Sequence, residues 1–292
     1  MDQAQQLRNI IKASQQRPLA RVITVTSGKG GVGKSNTAIN LAIQFRKMGQ
    51  RVIILDADFG LANIEIMFGA VPKHNLYDLI YKGMKMSDII TWGPGEVGFI
   101  SGGSGIVGMS NLSRDYLSYI IQNLAQLDAM ADIIIVDTGA GISDAVLEFL
   151  VASGEILLVT TPEPTSITDA YTLLKALGRH ERFSRTDTKI KVLSNRVESE
   201  EEGRTLFSKL NLVVSRYLKL DIEYLGSVPQ DEELRKAVMQ QTPISLKDSK
   251  AKSARAYEAI AGTLMNKEVG KTIQKRGMAA FFSHIVAGKK NL

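Results

Sequence analysis

Eight consecutive residues, Gly28-Lys29-Gly30-Gly31-Val32-Gly33-Lys34-Ser35, have the make-up of a phosphate cradle. Glycines let the backbone curl until several N–H groups face one oxyanion, Lys34 can neutralise the β and γ phosphates, and the Ser35 hydroxyl can ligate magnesium. Asn36, the next residue, is counted with the cradle. Lys29 is a second cation in the same loop. It cannot easily fold back onto phosphates its own loop holds, and two lysines so close repel unless phosphate charge accounts for both. Its expected target is a nucleotide held by a second copy of the chain, which implies a homodimer.

Three aspartates supply the complementary chemistry. Asp56 and Asp137 each close an apolar run, and a carboxylate at the tip of a buried strand beside a phosphate loop is placed to hold magnesium, directly or through water. Asp137 is assigned the direct role, with Asp56 assisting through bound water. Asp58 lies two residues past Asp56, outside the run, where it can orient a water towards the γ-phosphate. The expected catalytic set is Lys29, Lys34 and Asp58. Gly139 and Gly141, just past Asp137, read as hinge points whose amides sense the γ-phosphate.

The elements that must position these groups are legible as short apolar runs rich in β-branched residues at 21–26, 51–56, 97–101, 132–137, 155–160, 189–195 and 222–228. Helical spacing separates them, as over 36–48, where Leu41, Ala42 and Phe45 share a face. That rhythm is βαβ. Runs such as 132–137 are apolar on both faces, as a parallel sheet between helices requires, so the expected fold is α/β, doubly wound with a mainly parallel sheet. Ligands in such folds sit at the carboxyl ends of the strands, where the cradle and the aspartates fall. The expected organisation is an arm over 1–20, one domain over 21–268 and a basic arm over 269–292.

Composition narrows the chemistry. Of 292 residues, 44% are hydrophobic and 23% charged, and none is cysteine, so disulfides, thiolate ligands, cysteine nucleophiles and iron–sulfur clusters held by this chain are excluded. Three histidines argue against a histidine-built metal site. Neither a signal peptide nor a membrane span is apparent, so a cytoplasmic protein is expected. Five of the six net positive charges, Lys271, Lys275, Arg276, Lys289 and Lys290, sit in the last 24 residues, so basicity is local. The cations of 175–185 (Lys175, Arg179, His180, Arg182, Arg185) read as a solvated helix face.

The cradle resembles the deviant Walker A loop of the MinD and ParA class of P-loop ATPases. Asp56-Ala57-Asp58-Phe59-Gly60-Leu61-Ala62-Asn63 is similar to the class's switch I, and Asp137-Thr138-Gly139-Ala140-Gly141 to its switch II. The resemblance implies ATP and Mg2+ as cofactors, with ATP hydrolysed to ADP and phosphate. Asn195-Arg196 resembles the pair that contacts adenine in MinD relatives, and Pro229-Gln230-Asp231 follows the last strand at a matching place, so Asn195, Arg196, Pro229 and Asp231 join the expected nucleotide set. Asn195 offers donor and acceptor to the purine edge, and Arg196 can stack on it. The choice of ATP over GTP comes from the resemblance. Cysteine-dependent members of the class, such as nitrogenase iron protein and arsenite pumps, are struck out by composition.

Met278, Phe281, Phe282 and Ile285 follow i, i+3, i+4, i+7, so a helix over 277–287 has one apolar face flanked by Arg276 and Lys289-Lys290. It reads as an interfacial anchor for an anionic inner-membrane surface, too weak alone and effective when a dimer presents two copies. A helix packed on the protein's own surface at rest is the alternative, and both states can exist. Asp2-Gln3-Ala4-Gln5-Gln6-Leu7-Arg8 resembles the opening segment of the FlhG family (also called YlxH or FleN), MinD-like ATPases that control flagellar number and placement. That resemblance implies stimulation of the partner GTPase FlhF through Asp2, Gln3, Leu7 and Arg8, with flagellar C-ring components as further partners. Competing readings are a ParA-like ATPase that binds nucleoid DNA, supported only by a pI of about 9.3, and a division-site MinD, against which the 2–8 segment stands. Nucleic acid is not an expected partner.

Overall fold

The computed structural model describes residues 19–58, 63–102, 122–266 and 277–287. Eight strands form one sheet: β1 (Arg21–Thr26), β2 (Val52–Ala57), β3 (Thr91–Trp92), β4 (Gly98–Ser101), β5 (Ile133–Thr138), β6 (Glu155–Thr160), β7 (Lys189–Val197) and β8 (Ile222–Pro229). Their order is β3-β4-β2-β5-β1-β6-β7-β8, parallel throughout except for the two-residue edge strand β3. The seven apolar runs are the seven parallel strands. β3, too short to carry a periodic signal, is the one strand the sequence does not announce. The longer helices are α1 (Lys34–Lys47), α2 (Asn63–Phe68), α3 (Leu76–Lys82), α4 (Asp144–Ala152), α5 (Pro164–Arg179), α6 (Glu200–Val213), α7 (Glu232–Met239), α8 (Lys252–Asn266) and α9 (Gly277–Ala287).

Alternation along the central strands divides the interior into layers. Ile133 and Ile135 join Ile23 and Val25 in the core beneath α1 and α8, while Ile134 and Val136 join Ile53 and Leu55 on the other face. β1 is central, flanked by β5 and β6, and the chain crosses over it between those two strands. The loop after β1 therefore opens at a point where strand order reverses, the usual place for a ligand crevice.

At the opposite, amino ends of the strands, a fully buried ion triad fixes three strands together. Arg21 donates to both Glu155 oxygens (2.8 and 2.9 Å) and to the Leu264 carbonyl (3.0 Å), and Lys191 donates to Glu155 as well. Burial works against ionising Glu155, but Arg21 and Lys191 outweigh it and hold the carboxyl below its usual range.

The C-terminal helix takes the alternative the sequence left open, packed against its own chain. α9 has the bounds its spacing predicts, yet Met278, Phe281, Phe282 and Ile285 present no face to a membrane in this conformation: they are 0, 1, 0 and 5% exposed. They pack into the core under α4, where Phe149 lies 6.0 Å from Phe281 and edge-on to Phe282 at 6.5 Å. The physical reason is that α4, β1 and residues 127–131 leave an apolar seat, and the apolar face of α9 fills it. Two polar clips hold the ends. Asp128 accepts from the Met278 amide (2.9 and 3.2 Å) and from the Ala20 amide (3.3 Å), while Arg182 donates to the His284 carbonyl (2.5 Å) and grips Glu148 of α4 with its other nitrogen. Burial pushes the Asp128 carboxyl up, against the pull of the amides it accepts from. Asp2, Gln3, Leu7 and Arg8 lie outside the described residues, as do 59–62 of switch I and the basic residues at 271, 275, 276, 289 and 290.

Candidate active site

The cradle is built by exclusion of side chains. A Cβ on Gly28 would sit 2.3 Å from the Asp169 backbone, and Gly33 has φ +93° with Asn195 Nδ2 2.3 Å from where its Cβ would be. Only glycine fits either place. Gly33 caps α1, whose first turn receives no side-chain cap and carries no acidic residue, so its N–H groups are left for an anion.

Strand register then assembles the charged groups. Asp56 of β2 is paired directly with Asp137 of β5, and Asp137 with Val25 of β1, three residues before Gly28. Asp137 is wholly buried, with Lys34 Nζ 3.0 Å from Oδ1 and Ser35 beside the same carboxyl group. Its Oδ2 makes no hydrogen bond. Burial raises the Asp137 carboxyl despite Lys34. Asp56 is pushed up to about 7, chiefly by burial and then by the charge of Asp137, although its oxygens accept from the Asp58 (3.1 Å) and Ile64 (3.4 Å) amides. Two neighbouring buried carboxyls, of which only Asp137 has a lysine partner, form a site that calls for a further cation. These are hard oxygen donors, with an orphaned buried oxygen and a hydroxyl at hand, so the residues present fit magnesium.

Asp58 stands at the end of β2, half-buried, held by Asn63 Nδ2 (3.2 Å) and close to Gly139 of switch II, where an added Cβ would be 3.7 Å from Oδ1. The two switches therefore touch through it. Gly141 donates to the Ser27 carbonyl (3.0 Å) at φ +91°, tying switch II to the entrance of the cradle.

Lys29 has partners in its own chain: Nζ lies 2.7 Å from Glu163 Oε2 and 2.8 Å from Thr165 Oγ1, at the start of α5. Neither residue was legible as a site residue, although 160–165 closes β6 at the same carboxyl edge. Asn195 is buried, with Nδ2 donating to the Val32 carbonyl (2.7 Å) and Oδ1 unpaired. Arg196 is exposed at φ +57°. Asn36 accepts from Asn40 (2.8 Å). Pro229 ends β8, and Asp231 is occupied as the cap of α7: its oxygens accept from Glu233 N (3.0 Å) and from Ser253 N and Oγ (3.0 and 2.7 Å), which leaves it better suited to shaping the loop than to reading a base. Thus the cradle, Asp56, Asp58, Asp137 and Asn195 converge on one edge of the sheet. Met278, Phe281, Phe282 and Ile285 belong to a separate seat.

Comparison with known proteins gives concordant results. The ParA family, described as NUBPL iron-transfer P-loop NTPase, matches residues 18–265; the cysteine-free chain has no thiolate with which to hold iron. The antiactivator FleN of Pseudomonas aeruginosa is 42% identical over 241 residues, 82% of this chain and 85% of that protein. The flagellum site-determining protein YlxH of Helicobacter pylori is 33% identical over 270 residues, 91% of this chain and 90% of that one. Among solved structures, MinD of Pyrococcus horikoshii complexed with Mg-ADP superposes with a TM-score of 0.66 at 22% identity, covering 86% of this chain and 98% of that one.

Proposed function

The chain belongs to the MinD/ParA family of P-loop ATPases, in the FlhG branch that includes FleN and YlxH, and from that premise we propose that it is a nucleotide-switched regulator of flagellar number and placement. In this reading ATP occupies the cradle with its phosphates on the amides of 30–35, Lys34 turns from Asp137 towards them, and Asp58 orients the attacking water. Magnesium, held by Ser35 and Asp137 with Asp56 behind it, would neutralise phosphate charge. Lys29 exchanges Glu163 for the phosphates of a second copy, so the ATP state is a dimer. Gly139 and Gly141 report the γ-phosphate to α4, which begins three residues beyond Gly141 and carries Phe149, the ring on which α9 sits. Release of α9 lets the paired helices dock on the anionic inner membrane, and hydrolysis reverses it. The 2–8 segment stimulates FlhF, and C-ring components are further partners.

The observation that carries this reading is the pairing of Lys34 with a wholly buried, half-satisfied Asp137 beside Asp56. A phosphate loop without chemistry has no need of two desolvated carboxylates. The test is Mg-dependent ATP turnover by the full chain, alone and with FlhF. Turnover that survives Lys34→Ala removes the proposed site, and FlhF stimulation that survives deletion of residues 1–18 removes the role of the arm.

A further inference from the structure

The basic stretch 175–185 divides in two in the folded chain. Its His180 and Arg182 are tied to Glu148, and Arg182 clips α9. Lys175, Arg179 and Arg185 are not: among the described residues none has a carboxylate within ion-pair distance. These three cations line a separate cavity of about 370 Å³, walled by Tyr171, Tyr217 and Leu218.

The cavity is preorganised. Arg185 Nη1 donates to the carbonyls of Leu218 (2.9 Å) and Lys219 (3.1 Å), and Nη2 to that of Gly178 (3.1 Å). Its guanidinium is thus fixed in place by neutral acceptors. The wall bearing Tyr217 is a π-helical turn, Val214–Leu218, appended to α6 and closed by Lys219 at φ +54°. Such turns interrupt a helix at a cost in regularity and are frequent at functional sites. Tyr217, which lines the cavity, is exposed, and Arg216 stacks over its ring at 5.4 Å.

We infer that this cavity is a docking site for an acidic peptide segment of a protein partner, one that places carboxylate side chains among Lys175, Arg179 and Arg185 and an apolar side chain on Tyr217. A concave wall focuses positive potential, three converging cations with no carboxylate of their own call for one, and tyrosine with arginine is the composition of interface anchors. A nucleic-acid backbone fits less well. Phosphates need a row of cations along a track, whereas here three cations converge on one small concavity. The inference goes beyond the nucleotide switch and does not depend on it.

The test uses the full chain and a fluorescein-labelled octapeptide of alternating glutamate and leucine, followed by anisotropy. Lys175→Glu combined with Arg179→Glu is expected to weaken binding at least ~10-fold. Arg185→Lys, which keeps the charge and loses the three carbonyl bonds that fix its position, is expected to weaken it several-fold, while Lys73→Glu combined with Lys250→Glu and the basal ATPase rate stay near native. Equal losses from the pocket pair and the control pair would overturn the inference, since binding would then follow net charge alone. So would a short DNA duplex, or vesicles of phosphatidylglycerol, binding more tightly than the peptide and losing affinity in the same pocket variants. Should the double variant melt early, Arg185→Lys decides alone: native affinity there refutes the site.

Discussion

Asp128→Ala should loosen the C-terminal helix without touching its apolar face. In the native chain this carboxylate is 5% exposed and accepts from the amides of Met278 and Ala20, and α9 has no acidic residue in its own first turn to take over. Loss of such a cap costs about 1–2 kcal/mol, which multiplies the undocked population by roughly 5–30. Asp128→Asn retains one acceptor oxygen and should cost less. The pH dependence separates the two further. Burial raises the Asp128 carboxyl, so the folded chain holds its proton more tightly than the unfolded chain does, and the stability it contributes declines as pH climbs from the ordinary carboxylate range through the raised value. The asparagine variant should show no such decline. Hydrogen exchange of the Met278–Ala287 amides, followed by mass spectrometry without nucleotide, reads the docked fraction directly, and sedimentation with anionic vesicles reads its consequence. Helix amides that exchange at the native rate in Asp128→Ala would refute the clip.

Other perturbations address the nucleotide edge. Asp56→Asn should raise the melting temperature of the nucleotide-free chain at pH 8 but not at pH 4, because a carboxyl lifted to about 7 forfeits up to ~4 kcal/mol as pH rises between those values, while ATPase activity falls; equal melting shifts at both pH values would exclude the charge crowding. Lys34→Ala should lower stability by about 3–5 kcal/mol by denaturant titration, since it strands the buried Asp137. Asp58→Ala should slow turnover roughly 10²-fold or more and leave an ATP-bound dimer by light scattering, and a monomer in that assay would count against its role. Lys29→Ala should stay monomeric with ATP; its pair with Glu163 is solvent-exposed, so a large loss of melting temperature would be unexpected.

The sheet was legible because parallel strands buried on both faces must be written as unbroken β-branched runs, and the cradle because Gly28 is enforced by the Asp169 backbone against it and Gly33 by its positive φ. Asp56 and Asp137 could be placed at strand tips from position alone. What stayed hidden were pairings across the chain. Nothing local to Lys29 signals that Glu163, 134 residues on, will hold it. The apolar stripe of α9 specified a helix and its face but not what covers that face, because lipid and Phe149 are equally good solvents for Phe281 and Phe282. Asp128 looks like an ordinary helix-surface acid until residues 20 and 278 are brought to it. The cations of 175–185 likewise divide into paired and unpaired sets only when Glu148 is folded against some of them.

Ala20 and Met278 donate to a single carboxylate, and an added Cβ on Gly277 would come within 2.9 Å of Leu19. Residues 19–20 and 277–278 therefore share one address, far from each other in sequence and adjacent in space. One side chain thus seats two segments at once, and a change at Asp128 unfastens the lead-in to β1 together with the start of α9.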